Sequence, residues 1–404
     1  MPNKLNTNLE EINKVLERGV EQILPKKETL AKLMSERAIT LYLGIDPTGS
    51  QLHLGHSVPL RKLQDFAELG HRVILLVGNG TVKIGDPTGR DQSRPMLSDE
   101  EINANFANWQ RQASKILDFS LIDIRHNADW LDRMTYSDLL KLMAKATVQQ
   151  LLERDMFQNR LKKNLPIHAH EIIYPLLQGY DSVVMDVDLE IGGKDQTFNM
   201  LMGRQLQNVY QQKEKWVLST PLIEGTDGRK MGKSFNNYIA LDDSPVNIYG
   251  KIMSISDDLI IKYFEVLTRV DMVQVQEMKQ ALDRGENPML FKKELARQIT
   301  ADLYDQEASL KASEHFQAIV QNKATPDLEE FTELIIEINE KNGQLSSLNN
   351  IFSNSELGRL LEQGAVKLLP EQKSINSWQE LLTLANDSQL KIGKHRFYQL
   401  KIKK

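Results

Sequence analysis

The sequence contains no cysteine, no long apolar run and no strong excess of charge of either sign. Without cysteine, the chain forms neither disulfides nor cysteine-based zinc sites, and it has no thiolate nucleophile. The N-terminal segment lacks an apolar signal core, and no stretch approaches the roughly 20 apolar residues that span a bilayer. We therefore expect a soluble cytoplasmic protein that uses no zinc and is not inserted in a membrane.

Charge is unevenly distributed along the 404 residues. The net charge of −5 does not by itself indicate nucleic-acid binding. Residues 351–404, however, contain nine Lys or Arg and five Asp or Glu, a net charge of +4, which leaves −9 for the rest of the chain. At about 100–200 residues per domain, the length predicts two or three domains. The basic C-terminal end is therefore distinct from an acidic body.

Hydrophobic patterning predicts an α/β fold for the first part of the chain. Continuous apolar runs predict buried strands at residues 39–45, 72–77, 182–187 and 216–219. Helical periodicity lies between them, at residues 8–36, 54–69, 98–117, 135–160, 168–180 and 195–209. This alternation of continuous apolar strands with helices predicts a parallel sheet that is covered on both faces.

The same patterning predicts the domain organisation. Residues 1–240 should form a catalytic domain with a connective insertion, and residues 241–325 a separate domain that is wholly helical. A polar, Asn- and Gly-rich linker should occupy residues 326–346, and a small α/β module residues 347–404. No internal repeat or low-complexity tract interrupts this order.

A first candidate site follows the first predicted strand, where the sequence runs from Tyr42 through an Asp-Pro-Thr-Gly turn to His53-Leu-Gly55-His56. Ligands of open parallel sheets bind beyond the carboxyl ends of the strands. A glycine at a helix start lets a flat purine approach the backbone, and the helix N-terminus favours phosphate. Imidazoles three residues apart share one helix face. The position of this pattern therefore predicts nucleotide binding.

A second candidate site is a glycine-rich loop that contains Lys230-Met-Gly-Lys233-Ser234. Lysines on a flexible loop can stabilise the negative charge that grows on a pyrophosphate leaving group, mainly in the transition state. Neither pattern is specific by itself, because paired histidines and exposed basic turns are both common.

In this order and roughly 180 residues apart, the two patterns resemble the paired HIGH and KMSKS signatures of class I aminoacyl-tRNA synthetases. This chain has Leu54 in place of isoleucine and Gly232 in place of the first serine. Three further stretches resemble the tyrosyl-tRNA synthetases, in the bacterial subgroup with a Gly-Gly-x-Asp-Gln-x-Phe-Asn motif: residues 84–90, 174–181 and 191–204. The resemblance covers essentially the whole chain. It implies a Rossmann-like catalytic domain, an α-helical anticodon-binding domain and a small C-terminal RNA-binding module.

The resemblance also implies roles for individual residues. The catalytic set would be His53, His56, Lys230, Lys233, Ser234, Thr48, Arg90 and Arg94. The tyrosine pocket would contain Asp86, Tyr174 and Gln178 at the ammonium group, Tyr42 and Asp181 at the phenol, and Gln196 near the carboxylate. The ATP site would contain Gly44, Asp46, His53, Gly55, His56, Gly193, Asp195 and Lys233, with Asp195 at the ribose. Spacing alone places Tyr174, Gln178 and Asp181 on one helix stripe. Glu190 stands where another subgroup has glutamine.

The resemblance implies L-tyrosine, ATP and tRNA(Tyr) as substrates, Mg²⁺ bound through the ATP phosphates, and a homodimer, with no role for DNA. Three alternatives share some of these features. A tryptophan–tRNA ligase would have similar signatures but would not need the Tyr42 and Asp181 pair. A nucleotidyltransferase that makes a dinucleotide cofactor shares the histidine pattern, although it is usually shorter. A non-enzymatic RNA-binding relative would have lost the histidines or lysines, which are all present here.

Overall fold

The structure is a computed structural model that describes residues 4–88, 97–321, 332–338, 345–348, 351–393 and 396–403. The chain divides into two compact units, Met1–Leu310 and Lys311–Lys404, and each has its own sheet. Within the described ranges, no helix combines the length and the apolar character that a membrane span requires.

Six strands form one sheet in the described part of the first unit. They are β1 (Gln22–Leu24), β2 (Thr40–Ile45), β3 (Arg72–Val77), β4 (Ile122–His126), β5 (Leu189–Gly193) and β6 (Trp216–Thr220). The order across the sheet is β1-β6-β5-β2-β3-β4, and all neighbours are parallel except β1, which is antiparallel to β6. Chain order therefore reverses between β2 and β5, the point where open sheets of this type form a ligand crevice.

Helices connect these strands and continue beyond the sheet. They are α1 (Leu9–Glu17), α2 (Lys27–Glu36), α3 (Leu54–Glu68), α4 (Asp99–Ala113), α5 (Ala128–Leu131), α6 (Tyr136–Met143), α7 (Val148–Leu152), α8 (Asp155–Lys162), α9 (Ala169–Met185), α10 (Thr197–Gln211), α11 (Pro245–Met253), α12 (Ile260–Leu267), α13 (Met272–Asp283) and α14 (Pro288–Leu303). Helix α15 (Gln306–Phe316) contains the boundary between the two units.

The two central strands, β2 and β3, consist mainly of buried apolar residues. Every residue of β3 after Arg72 is buried, and so are Leu41, Tyr42 and Leu43 of β2. Such strands show no apolar–polar alternation because helices cover both faces of a parallel sheet. The predictions of strands β2, β3 and β6 are confirmed. The predicted α/β class with a parallel sheet is confirmed as well.

The strand predicted at residues 182–187 is wrong. These residues continue helix α9 as far as Met185, and Asp186 ends the helix in a left-handed conformation with a φ of 48°. The strand is β5, which begins at Leu189. A short apolar run looks the same in a buried helix end and in a buried strand, so periodicity cannot separate the two. The pattern also fails to predict β1, which has only three residues, and β4, in which polar residues alternate with apolar ones.

The second unit contains a mixed sheet with the strand order β10-β9-β11-β12-β7-β8. Its strands are β7 (Thr332–Ile338), β8 (Leu345–Leu348), β9 (Val366–Leu368), β10 (Lys373–Ile375), β11 (Gln389–Ile392) and β12 (Arg396–Lys403), and its helices are α16 (Asn354–Glu362) and α17 (Trp378–Leu382). A core of buried apolar residues, among them Leu334, Leu357 and Leu390, joins helices and sheet.

The small α/β module is thus confirmed, and two of its strands begin within the segment 326–346 that is expected to be a linker. Thr332–Ile338 is strand β7, which pairs with β12, and β8 begins at Leu345. Leu334 and Ile336 alternate with half-buried or exposed neighbours, and this short alternation lies within a largely polar segment. The domain boundaries expected near residues 240 and 325 stay predictions.

Arg18 ties the N-terminal segment to helix α12. Its guanidinium donates hydrogen bonds to three main-chain carbonyls, those of Phe264 (3.2 Å), Glu265 (2.9 Å) and Thr268 (2.8 Å). The last carbonyls of an α-helix have no partner within the helix. A single side chain from the N-terminal segment therefore caps the C-terminal end of α12.

Candidate active site

A cavity of about 1040 Å³ lies at the carboxyl ends of β2 and β5, at the reversal of chain order. Every candidate residue within the described ranges lines it: Tyr42, Gly44, Asp46, Thr48, His53, Gly55, His56, Asp86, Tyr174, Gln178, Asp181, Gly193, Asp195, Gln196, Lys230, Lys233 and Ser234. Arg90 and Arg94 lie outside the described residues. The candidates are distant in the sequence, and the fold brings them to one place.

The first signature forms the N-terminus of helix α3. His53 is the N-cap residue, and its Nδ1 accepts a hydrogen bond from the Gly55 N–H at 3.1 Å. His56 Nδ1 accepts from the His53 N–H, also at 3.1 Å. A neutral imidazole carries one ring proton, so both rings must carry it on Nε2. A Cβ at position 55 would lie 2.9 Å from the His53 ring, which explains why glycine is needed there.

Both imidazoles are held in the neutral form. Burial, assisted by His56 and the two loop lysines, lowers the pKa of His53 from 6.5 to about 2. Burial and Lys233 lower the pKa of His56 from 6.5 to about 4. The pair can therefore donate two hydrogen bonds from Nε2 to an anionic ligand without adding a positive charge beside the lysines.

The second signature lies beside the first. Lys230 Nζ forms an ion pair with Asp195 Oδ2 at 2.7 Å. Lys233 Nζ lies close to the turn that follows β2. A Cβ added to Gly49 in that turn would lie 3.1 Å from this nitrogen. Two ammonium groups therefore line the cavity that contains the histidine pair.

The lysine loop is anchored at both ends. Asn237 accepts a hydrogen bond from the Gly232 N–H at 2.9 Å and donates to main-chain carbonyls within the loop. At the start of the loop, Glu224 forms an ion pair with Lys262 at 2.9 Å, and its carbonyl accepts from the Tyr263 hydroxyl at 2.5 Å. Lys262 and Tyr263 belong to α12, so the helical region holds the base of the loop.

Asp86 lies in a polar corner of the cavity. Its Oδ2 accepts from Gln196 Nε2 at 2.7 Å, and its Oδ1 accepts from the Thr88 hydroxyl at 2.6 Å. Arg154, which the motifs do not predict, is buried with Nη2 3.9 Å from Asp86 Oδ1. The carboxylate is therefore oriented from three sides.

A chain of hydrogen bonds connects Asp46 to Asp181 along the cavity. Tyr174 Oη donates to Asp46 Oδ2 at 2.8 Å, and Thr81 Oγ1 donates to Asp46 Oδ1 at 2.7 Å. Asn127 Nδ2 then donates to Thr81 Oγ1 at 3.0 Å and to Asp181 Oδ2 at 3.2 Å. Asp46, expected at ATP, is thus also fixed by a residue expected at tyrosine.

Asp181 is 2% exposed and has a second donor in Trp130 Nε1, at 2.8 Å. Burial raises the pKa of Asp181 well above 3.8, while its hydrogen bonds from Asn127 and Trp130 oppose this shift. The motifs do not predict Asn127 or Trp130. Both follow β4, and a prediction of that strand would have placed Asn127 at the same carboxyl-end edge.

The cavity floor contains a buried ion pair between Glu190 and Lys215. Lys215 Nζ also donates to Ser182 Oγ at 2.7 Å, and Ser182 is hydrogen-bonded to Tyr42 Oη at 2.9 Å. Gln178 Nε2 donates to Glu190 Oε1 at 3.1 Å. Tyr42 is predicted at the phenol end of the pocket and Gln178 at the ammonium end. Gln178 contacts this ion pair directly, and Tyr42 contacts it through Ser182.

Comparisons with known proteins identify the family of this chain. Residues 34–321 match the family model of class I tRNA synthetases of the tryptophan and tyrosine type. The tyrosine–tRNA ligase of Thermotoga maritima is 42% identical over 397 residues, which cover 97% of each chain. This chain belongs to the class I tyrosyl-tRNA synthetases.

Other relatives extend the match. The tyrosine–tRNA ligase of Carboxydothermus hydrogenoformans is 41% identical to this synthetase over 400 residues, 96% of each chain. A C-terminally truncated mitochondrial tyrosyl-tRNA synthetase of Aspergillus nidulans has a TM-score of 0.65 at 21% identity, covering 76% of this chain and 93% of that one. The latter likeness supports the fold alone. The expected family and enzyme class are confirmed, whereas the roles of single residues stay predictions.

The neutral histidine pair of the synthetase leads to a spectroscopic prediction. In ¹⁵N-histidine NMR spectra, His53 and His56 should remain Nε2–H tautomers from about pH 8 to about pH 5.5, because their pKa values are lowered to about 2 and about 4. Single glutamine substitutions would assign the two signals. In urea, the same histidines should titrate near the ordinary pKa of about 6.5. Titration of the folded pair near that value would contradict the assignment.

Proposed function

We propose that this chain activates L-tyrosine with ATP and transfers it to tRNA(Tyr). In the first step a tyrosine carboxylate oxygen attacks the α-phosphorus in line, and the bond to the bridging oxygen breaks as pyrophosphate leaves. In the second step the terminal ribose hydroxyl of the tRNA attacks the adenylate carbonyl and releases AMP and a proton. The observation that carries the proposal is that one cavity contains the neutral histidines, the lysine loop and a polar amino-acid pocket.

The pocket around Asp86 and Asp181 suits an amino acid with a phenol side chain. Asp86, Tyr174 and Gln178 would receive the ammonium group, and Gln196 would lie near the carboxylate. Asp181 would accept the phenol proton, with Tyr42 as a second partner. A carboxylate has about four acceptor positions, and Asp181 uses two of them for Asn127 and Trp130. Phenylalanine would leave a buried acceptor without its further donor, which disfavours it.

The mouth of the cavity suits ATP. Asp195 would bind the ribose, Gly44, Asp46, Gly55 and Gly193 would contact the nucleotide, and the histidines would donate to phosphate. Charge on the leaving pyrophosphate would be stabilised by Thr48, Lys230, Lys233, Ser234, Arg90 and Arg94. In the described part of the chain, no three His, Asp or Glu side chains form a set of metal ligands. Mg²⁺ is proposed as a companion of ATP that is bound through its phosphates, and no step is assigned to it.

A row of side chains on the sheet of the second unit supports the proposed contact with tRNA. This contact would take place in the cytoplasm. Lys367, Lys391 and Phe397 are directly opposite one another on β9, β11 and β12. Their strand neighbours Val366 and Tyr398 are buried, so this row faces away from the core. Lysines neutralise phosphates and an aromatic ring offers a stacking surface for a base, which together favour RNA. The helical region would meet the anticodon.

A homodimer is part of the proposal. Tyr136, Leu140 and Met143 are spaced as one face of α6 and are 78%, 46% and 41% exposed, and Val148 of the next helix is 59% exposed. A group of large apolar side chains on the surface favours a protein interface. A second copy of this chain is the proposed partner.

The function is tested by ATP–pyrophosphate exchange with each proteinogenic amino acid separately, followed by charging of a tRNA(Tyr) transcript. We expect tyrosine to give exchange far above the others and to be transferred to the tRNA. Tryptophan serves as the informative control, because its ligases belong to the same class. Exchange with tryptophan and none with tyrosine would overturn the proposed function.

Lys233→Ala should reduce catalysis more than binding. The lysine is proposed to meet charge that develops on pyrophosphate in the transition state, so the exchange kcat should fall by about 100-fold. The dissociation constant for tyrosine, measured by calorimetry without ATP, should stay nearly the same. Lys27→Ala, at an exposed ion pair with Glu17, is the matched control and should change neither. An equal loss of tyrosine affinity would contradict this role.

Leu140→Glu should convert the proposed dimer to a monomer, because it places a charge in the centre of the apolar α6 face. Sedimentation velocity would measure the mass. Val273→Glu, a similar change at a 68% exposed residue of α13, should leave the dimer intact. A wild-type chain that sediments as a monomer at micromolar concentration would contradict the proposal.

A further inference from the structure

The Glu190–Lys215 pair is buried to an unusual degree. The side chains are 2% and 0% exposed, although removing two charges from water is costly even when they are paired. Space for the ammonium is made by Gly203 of α10, because a Cβ there would overlap Lys215 Nζ. Hydrophobic residues would fill such a position at lower cost. The pair therefore has to be explained by the groups that it orients.

The main group that it orients is the amide of Gln178. Glu190 as a carboxylate can only accept hydrogen bonds, so the amide must turn its NH₂ towards it. Nε2 accordingly donates to Glu190 Oε1 at 3.1 Å. The amide oxygen then points away from Glu190, and among the described residues Gln178 Oε1 is a buried atom with no hydrogen-bond partner. Gln178 also lines the cavity.

An ammonium group is a donor only and needs acceptors around it. An amide with its oxygen towards the ligand attracts an ammonium, whereas the same amide rotated by half a turn presents NH₂ and repels it. The orientation of this one side chain therefore changes the sign of the interaction with an α-ammonium group.

We propose that Glu190 and Lys215 are positioning residues that lock the Gln178 amide with its oxygen towards the ammonium group of the amino-acid substrate. This inference rests on the proposed function and deepens it, because it identifies residues outside the expected site that set the polarity of the amino-acid pocket. The same pair also holds Ser182, and through it Tyr42, so the phenol and ammonium ends of the pocket share one support.

Lys215 determines which oxygen of Glu190 faces Gln178. It pairs with Glu190 Oε2, while Gln178 meets Oε1. As an ammonium, Lys215 accepts no hydrogen bond, so whatever replaces Oε2 must be an acceptor.

This requirement makes Glu190→Gln a directional test. The new amide must turn its oxygen to Lys215, so its NH₂ faces Gln178. The Gln178 amide must then rotate and present NH₂ to the substrate. We expect the KM for tyrosine in pyrophosphate exchange to rise by about tenfold or more, with the KM for ATP within about twofold of wild type.

The double variant Glu190→Gln/Lys215→Met should recover tyrosine binding. Without Lys215, the amide at position 190 is free to turn its oxygen back to Gln178 and its NH₂ to Ser182. The tyrosine KM should return to within about threefold of wild type. The double variant also contains no unpaired buried charge, so it keeps the test decisive if Glu190→Gln alone does not fold.

Two tyrosine analogues separate positioning from general damage. Tyramine keeps the ammonium and lacks the carboxylate, whereas 3-(4-hydroxyphenyl)propionate lacks the ammonium. In Glu190→Gln, the inhibition constant of tyramine should rise about as much as the tyrosine KM, and that of the propionate should not rise. Glu171→Gln is the matched control. Glu171 is as buried as Glu190 and pairs with Arg160 at a distance of 2.9 Å, but it does not line the cavity. It should leave all three constants unchanged in the folded protein.

The proposal is overturned if the propionate loses as much affinity as tyrosine, or if the folded double variant binds tyrosine no better than the single one. These results differ from failure of the proposed function, which would appear as an absence of tyrosine exchange in the wild-type chain itself.

Discussion

A carboxylate buried in protein must accept hydrogen bonds or meet a cation, and the cavity floor contains two of them, Asp181 and Glu190. Donors for Asp181 come from the segment after β4, and the cation for Glu190 comes from the residue just before β6. The two strands lie on opposite sides of the central pair β2 and β5. Satisfying these two acids therefore requires side chains from both halves of the sheet, and both acids line the same polar pocket.

The mouth of the same cavity contains cationic groups instead of buried acids. There the positive groups are Lys230 and Lys233, and the neighbouring histidines are kept neutral by burial and by those lysines. A site of this kind attracts phosphate without concentrating so much positive charge that the loop is repelled from the helix N-terminus. Acidic groups lie at the deep end and cationic groups at the entrance, as an amino acid with an ammonium group and a polyphosphate would require.

How much of this structure is predictable from the sequence depends on the type of signal. Strands β2 and β3 are predictable because continuous apolar runs bounded by turns are typical of strands buried in a parallel sheet. Residues 182–187 are mistaken for a strand because a buried helix end has the same composition. The candidate residues are predictable because they belong to contiguous motifs, and those within the described ranges all line one cavity. Lys215, Asn127 and Arg154 escape prediction because each acts as a single residue far from any motif, and only the fold reveals its partner.

Helix α12 gives the N-terminal segment an unexpected importance. Arg18 donates hydrogen bonds to carbonyls at the C-terminal end of this eight-residue helix. Closer to its other end, Lys262 and Tyr263 bind Glu224 at the base of the lysine loop. The N-terminal segment and the base of the lysine loop therefore contact the same short helix, although more than 200 residues of sequence separate Arg18 from Lys230.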